Sequence, residues 1–143
     1  MSIFKITLIA LSISLLGCHN QGDEPRPGKD LKSLVSSDQR FKATLRETNI
    51  DGSIGVSQPY ELIIESLIPN QPAQEVMLVA DRTSGLNIAW LSTGALEVCY
   101  EQEAHIRRFN NKFIVATEDN PTISEVEITL LRRPSLAGCA SKG

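Results

Sequence analysis

Three thiols, Cys18, Cys99 and Cys139, are the side chains of this 143-residue chain with the widest choice of chemistry. A cysteine can be acylated, oxidised to a disulfide or bound to metal, and the sequence around it decides among these. Two of the three close nearly identical stretches, SLLGC at 14–18 and SLAGC at 135–139. No CxxC pair or Cys/His cluster occurs, so neither a zinc site nor a redox dithiol is expected. His19 and His105 stand alone.

Catalysis has little to draw on. The chain has no GxSxG turn, no HExxH and no glycine-rich phosphate loop. A Ser–His–Asp arrangement would have to use His105, because His19 lies in a polar, proline-marked stretch. Glu97, Glu101 and Glu103 crowd one segment, but strand alternation sends Glu97 and Glu101 to a solvent face. Carboxylates in water keep ordinary pKa values and serve solubility. The stretch ETNIDGSIGVSQ at 47–58 places Glu47, Asn49, Asp51 and Gly52 at spacings similar to a calcium-binding loop. It has Glu47 first where Asp is usual, and Gln58 last where a bidentate Glu is needed. A turn at Asp51-Gly52 is the simpler reading. No catalytic residue, metal or cofactor is expected. Arg107–Arg108 and Arg132–Arg133 are adjacent pairs whose members point to opposite strand faces. They would make a basic patch only if their two strands were neighbours. A formal net charge of −3 gives no reason to expect nucleic acid.

The start of the chain decides the use of the first thiol. Lys5 and the amino terminus are positive, and Ile6 to Leu16 runs without a charge. That run has the length of a secretory hydrophobic core and is too short for a bilayer span, which takes about 20 residues. Polar HNQGDEPRPGKD follows at once. Leu15-Leu16-Gly17-Cys18 then resembles the lipobox of bacterial lipoprotein signals. The resemblance covers residues 1–18. It implies a signal peptide at 1–17, a diacylglycerol thioether on Cys18, cleavage before Cys18, and acylation of the new amine by a fatty acid such as palmitate. The second stretch, SLAGC, follows charged EVEITLLRRPS and has no hydrophobic run before it. Cys139 therefore needs another partner.

That resemblance places the mature chain outside the cytoplasm, where disulfides persist. With Cys18 modified, Cys99 and Cys139 are left as an even pair, and the simplest pairing is with each other. Two free thiols and an intermolecular bridge are the competing readings. In a strand ALEVCYE, Leu96, Val98 and Tyr100 share one face and Cys99 takes the other, where an incoming tail can reach it.

Residues 18–39 read as the lipidated Cys18 and a flexible tether, marked by Pro25, Pro27, Gly22 and Gly28 and ending in a helical turn at LKSLVSSDQ. Residues 40–143 read as a β domain. The period is two in RFKATLRE, YELIIES, LNIAWLS, ALEVCYE, NKFIVATE and SEVEITLL, and EVMLVAD is a short apolar run. These segments predict a mostly β fold: a small antiparallel sandwich or barrel of about seven strands, with the C-terminal tail pinned by the disulfide. Trp90 and Tyr100 share the inward parity of a hairpin at 86–101, so Trp90 is expected to serve the core.

The expectation is a lipid-anchored, non-enzymatic envelope protein with a binding or interaction domain and an unidentified protein partner. Its membrane contact is the lipid on Cys18. Alternatives are an accessory subunit of an envelope assembly or secretion complex, and an inhibitor or immunity-type protein against a hydrolase or toxin. In enterobacterial lipoproteins an aspartate after the lipidated cysteine favours inner-membrane retention. His19 stands there instead, which implies the outer membrane, facing the periplasm.

Overall fold

The period-two segments all become strands. The structure, a computed structural model, describes residues 25–48, 59–117 and 120–139. In chain order the strands are β1 (Gly28–Val35), β2 (Phe41–Thr48), β3 (Tyr60–Ser66), β4 (Gln74–Asp81), β5 (Leu86–Ser92), β6 (Ala95–Glu101), β7 (His105–Phe109), β8 (Lys112–Thr117) and β9 (Asn120–Arg133), followed by a 3-10 turn at Leu136–Gly138. They form a five-stranded sheet ordered β1-β2-β3-β4-β7 and a four-stranded sheet ordered β5-β6-β9-β8. The molecule is therefore a two-sheet sandwich and not a closed barrel.

Alternation builds the core between the sheets. Phe41, Ala43 and Leu45 on β2 and Leu62 and Ile64 on β3 face Leu96 and Val98 on β6 and Val126 and Ile128 on β9. Phe41 and Phe113 meet edge to face across the gap, with ring centroids 6.1 Å apart and planes at 87°. That is the arrangement the ring quadrupoles favour.

Three expectations are corrected. The first concerns the stretch read as tether. Gly28–Val35 is hydrogen-bonded along β2 in antiparallel register, from Gly28 opposite Thr48 to Val35 opposite Lys42. Its sequence hides this because it is an edge strand, largely solvent-facing, with a register shift between Asp30 and Lys32 that breaks the alternation. LKSLVSSDQ holds the end of β1 and a hairpin rather than a helical turn. Ser36 N–H donates to the Phe41 carbonyl (2.9 Å), and the Asp38 carboxylate accepts from Ser36 Oγ (2.6 Å). Second, the described residues hold nine strands rather than about seven. The other unforeseen one is β7, HIRRF, a short charged edge strand. Third, one pair is not antiparallel: β6 and β9 run parallel, Ala95 opposite Glu127 through Glu101 opposite Arg133. The chain between them passes through β7 in the other sheet and back through β8, long enough for the crossover that parallel pairing requires.

Candidate functional site

Cys99 and Cys139 are joined by a disulfide across a sequence separation of 40, with Cα atoms 5.6 Å apart. The parity argument holds. Cys99 points away from the sandwich core, and the tail folds over the outer face of β6 to meet it. The 3-10 turn at Leu136–Gly138 makes the approach, and Arg133 packs beside Gly138. Although Cys99 faces outward, both cysteines are almost fully buried where the tail covers β6. Asn87 anchors the same point: its Nδ2 donates to the Cys139 carbonyl, and its Oδ1 accepts from Lys32 Nζ at 2.8 Å. Lys32 also donates to the Ile88 carbonyl (3.0 Å), so β1 of one sheet is tied to β5 of the other.

Beside the disulfide lies a cleft of about 390 Å³. Two transverse rows of the four-stranded sheet build its floor. Asn87, Cys99 and Leu131 are register partners across β5, β6 and β9, and Ala89 and Glu97 are partners across β5 and β6. Leu91, 59% exposed, and Arg133 also line the cleft, while Gly138 and Cys139 supply a wall from the tail. The surface combines an exposed leucine and a half-buried alanine with one carboxylate and one guanidinium. It can hold an apolar side chain and orient it by charge. It offers no nucleophile with a base beside it.

The remaining sequence candidates are dispersed. His105 Nδ1 lies 3.1 Å from Asp81 Oδ1, and Arg107 Nε 3.0 Å from Asp81 Oδ2, so the buried Asp81 is held by two β7 side chains. The two arginine pairs are not brought together: β7 pairs only with β4, and β9 pairs with β6 and β8 in the other sheet. The condition for a shared basic patch, that the two strands be neighbours, is therefore not met. Arg107 is instead engaged with Asp81, and Arg132 Nη2 donates to the Gln102 carbonyl.

Trp90 is half-buried, packs against the core and donates from Nε1 to the Leu34 carbonyl at 3.2 Å. Glu101 departs from the ordinary carboxylate expected of it. It accepts from the Ser84 N–H, from Thr83 Oγ1 (2.7 Å) and from Ser84 Oγ (3.1 Å). The Ser84 N–H, then the Thr83 hydroxyl, lower its pKa from the ordinary value. It braces the loop that carries the chain from one sheet to the other, in which Gly85 takes a φ of 145°. Periodicity gave no hint of this role, because the partners lie in a loop.

Among the described residues no group of three or more His, Cys, Asp or Glu side chains converges on a metal position, and no helix is long and apolar enough to cross a membrane. Cys18, His19 and most of the 47–58 loop lie outside the described residues. Comparison of the chain with protein-family models, curated proteins and solved structures gives no match.

Proposed function

We propose that this chain is a lipid-anchored protein of the bacterial cell envelope whose β sandwich is a non-enzymatic binding module. The anchor rests on sequence: Lys5, the uncharged Ile6–Leu16 run and Leu15-Leu16-Gly17-Cys18. The Cys99–Cys139 bond supports the compartment, since such bonds persist in oxidising surroundings and are rare in the cytosol. His19 after the lipidated cysteine supports the outer membrane, with the domain in the periplasm.

The single observation that carries the binding reading is the disulfide-walled cleft on the outer face of β5, β6 and β9. A partner protein inserts an apolar side chain against Leu91 and Ala89 and meets Glu97 and Arg133 with groups of opposite charge. A protein partner suits this mixture of an apolar centre and charged rim.

Two measurements test the reading. Cells fed a palmitate analogue should label the wild type and the Cys139→Ser variant but not Cys18→Ser; equal labelling of all three would remove the anchor. A photo-crosslinking residue at Leu91 should trap a defined envelope protein that the same residue at Lys42, on the opposite sheet, does not. A trapped hydrolase or toxin would assign an inhibitor role, and a resident complex an accessory role. Identical trapping from both positions would remove the cleft as the contact surface.

A further inference from the structure

Ahead of β1 the chain does not leave the domain at the sheet edge. It turns back over the outer face of the five-stranded sheet. Arg26 crosses two strands to reach Glu61 on β3: its Nε pairs with Glu61 Oε1, and its N–H donates to Glu61 Oε2 at 3.2 Å. Arg46 on β2 holds the same segment, donating to the Arg26 carbonyl (3.2 Å) and to Asp30 on β1. Asp30, Arg46 and Glu61 are register partners in one row across β1, β2 and β3, and Arg26 lies along that row. Glu61 is 1% exposed, so its carboxylate depends on this partner. Gly28 makes the corner possible: a Cβ there would fall 2.3 Å from the Glu47 carbonyl oxygen.

We propose that the outer face of the five-stranded sheet is the side turned to the lipid surface, set there by the Arg26–Glu61 clamp. The proposal rests on lipidation of Cys18. Only the chain from Cys18 to Arg26 then separates lipid from domain. That stretch can span at most about 28 Å. A tether ending at residue 39 would have let the domain tumble; one ending at a clamp on the sheet face restricts which side can be lowermost.

The charges suit a face held close to a membrane without adhering to it. Lys42 pairs with Glu65 at 3.0 Å, Arg46 with Asp30, Arg26 with Glu61, and His105 and Arg107 with Asp81. These ion pairs reduce the net field that could bind or repel anionic headgroups. The cleft beside the disulfide lies on the outer face of the other sheet, so the same orientation points it into the periplasm.

The test uses the full lipidated chain in vesicles carrying a headgroup energy acceptor, with a donor on Glu65→Cys or on Leu91→Cys. Packed sheets lie about 10 Å apart, so with side chains the two donors differ in height by about 20 Å. Transfer should be severalfold greater from position 65. The double variant Arg26→Ala with Glu61→Leu, which leaves no unpaired buried carboxylate, should bring the two signals toward equality while the β-type circular dichroism is unchanged; Arg26→Lys should keep them apart. Equal or reversed transfer in the otherwise unaltered chain would overturn the orientation, as would transfer between donor- and acceptor-labelled copies at position 65 in plain vesicles, which would mean a second copy covers this face. Failure of lipidation is seen separately, as loss of the acyl mass on Cys18 and failure to float with vesicles.

Discussion

Trp90 on β5 donates its indole N–H to the carbonyl of Leu34 on β1, joining the exposed edges of the two sheets. Lys32 makes a parallel link to Asn87 and Ile88. β1 is thus part of the fold, and a chain that starts at Asp38 should suffer for its loss. It would bare the β2 edge and orphan the Trp90 and Asn87 partners. A chain starting at Pro25 should unfold cooperatively at clearly higher denaturant than one starting at Asp38, which should also self-associate through the open edge. Equal midpoints would show that β1 adds nothing.

Trp90 itself divides into a hydrogen bond and a packed ring. Trp90→Phe keeps most of the ring contact and should cost about 1 kcal/mol, the worth of one such bond. Trp90→Ala should cost more, near the low end of the roughly 3–5 kcal/mol seen for buried tryptophan, because the residue is only half-buried. Denaturant titration followed by circular dichroism separates the two.

The disulfide closes a loop of 40 residues. In the chain-entropy model this stabilises by about 4 kcal/mol, so Cys99→Ser or Cys139→Ser should cost roughly 2–4 kcal/mol. Mass spectrometry of the unreduced protein should find the two cysteines in one linked peptide pair. Because the tail is one wall of the cleft, either variant should also weaken partner trapping at Leu91 more than its loss of stability predicts.

What could be read in advance follows what repeats. Segments buried on one face, such as LNIAWLS and SEVEITLL, announce themselves by alternation, and Cys99 shows its outward parity the same way. β1 and β7 are edge strands whose composition is set by solvent, so GKDLKSLV and HIRRF carry no apolar stripe. The parallel pairing of β6 with β9 was hidden for another reason: strand order across two sheets is fixed by crossovers that no local pattern records. The cleft needed that order, since Leu131 meets Cys99 only because β9 lies beside β6. Glu101 reads as a free carboxylate and Asp38 does not stand out in the sequence, because their partners are backbone and hydroxyl groups of turns.

Those two carboxylates set an acid limb. Asp38 is lowered from its ordinary pKa chiefly by the Ser36 hydroxyl, with the Arg40 N–H and charge adding to it. Glu101 is lowered chiefly by the Ser84 N–H and then the Thr83 hydroxyl. A depressed folded pKa means the unfolded chain binds protons first as pH falls. Their contribution is complete above the ordinary carboxylate range and is lost as pH drops through their depressed folded values. Asp38→Asn and Glu101→Gln should lower stability at pH 7 and flatten its fall toward pH 3. Both groups sit at the surface, so added salt should shrink the effect. An unchanged acid limb in the double variant would count against both hydrogen-bond sets.

Gly28 offers the sharpest test of the corner that leads into β1. A methyl group there would meet the Glu47 carbonyl oxygen at 2.3 Å and Arg46 Cγ at 3.0 Å. The first is backbone of the neighbouring strand and cannot swing aside as a side chain does. Gly28→Ala must therefore push the start of β1 off β2, breaking the register at Gly28–Thr48 and lifting the Arg26 segment from Glu61. Overpacking of this kind typically costs about 1–3 kcal/mol. Hydrogen exchange should show the loss concentrated at the amides pairing the first residues of β1 with β2, with the β6–β9 ladder untouched. Protection lost evenly across both sheets would mean that Gly28 acts through the whole sandwich and not through this corner.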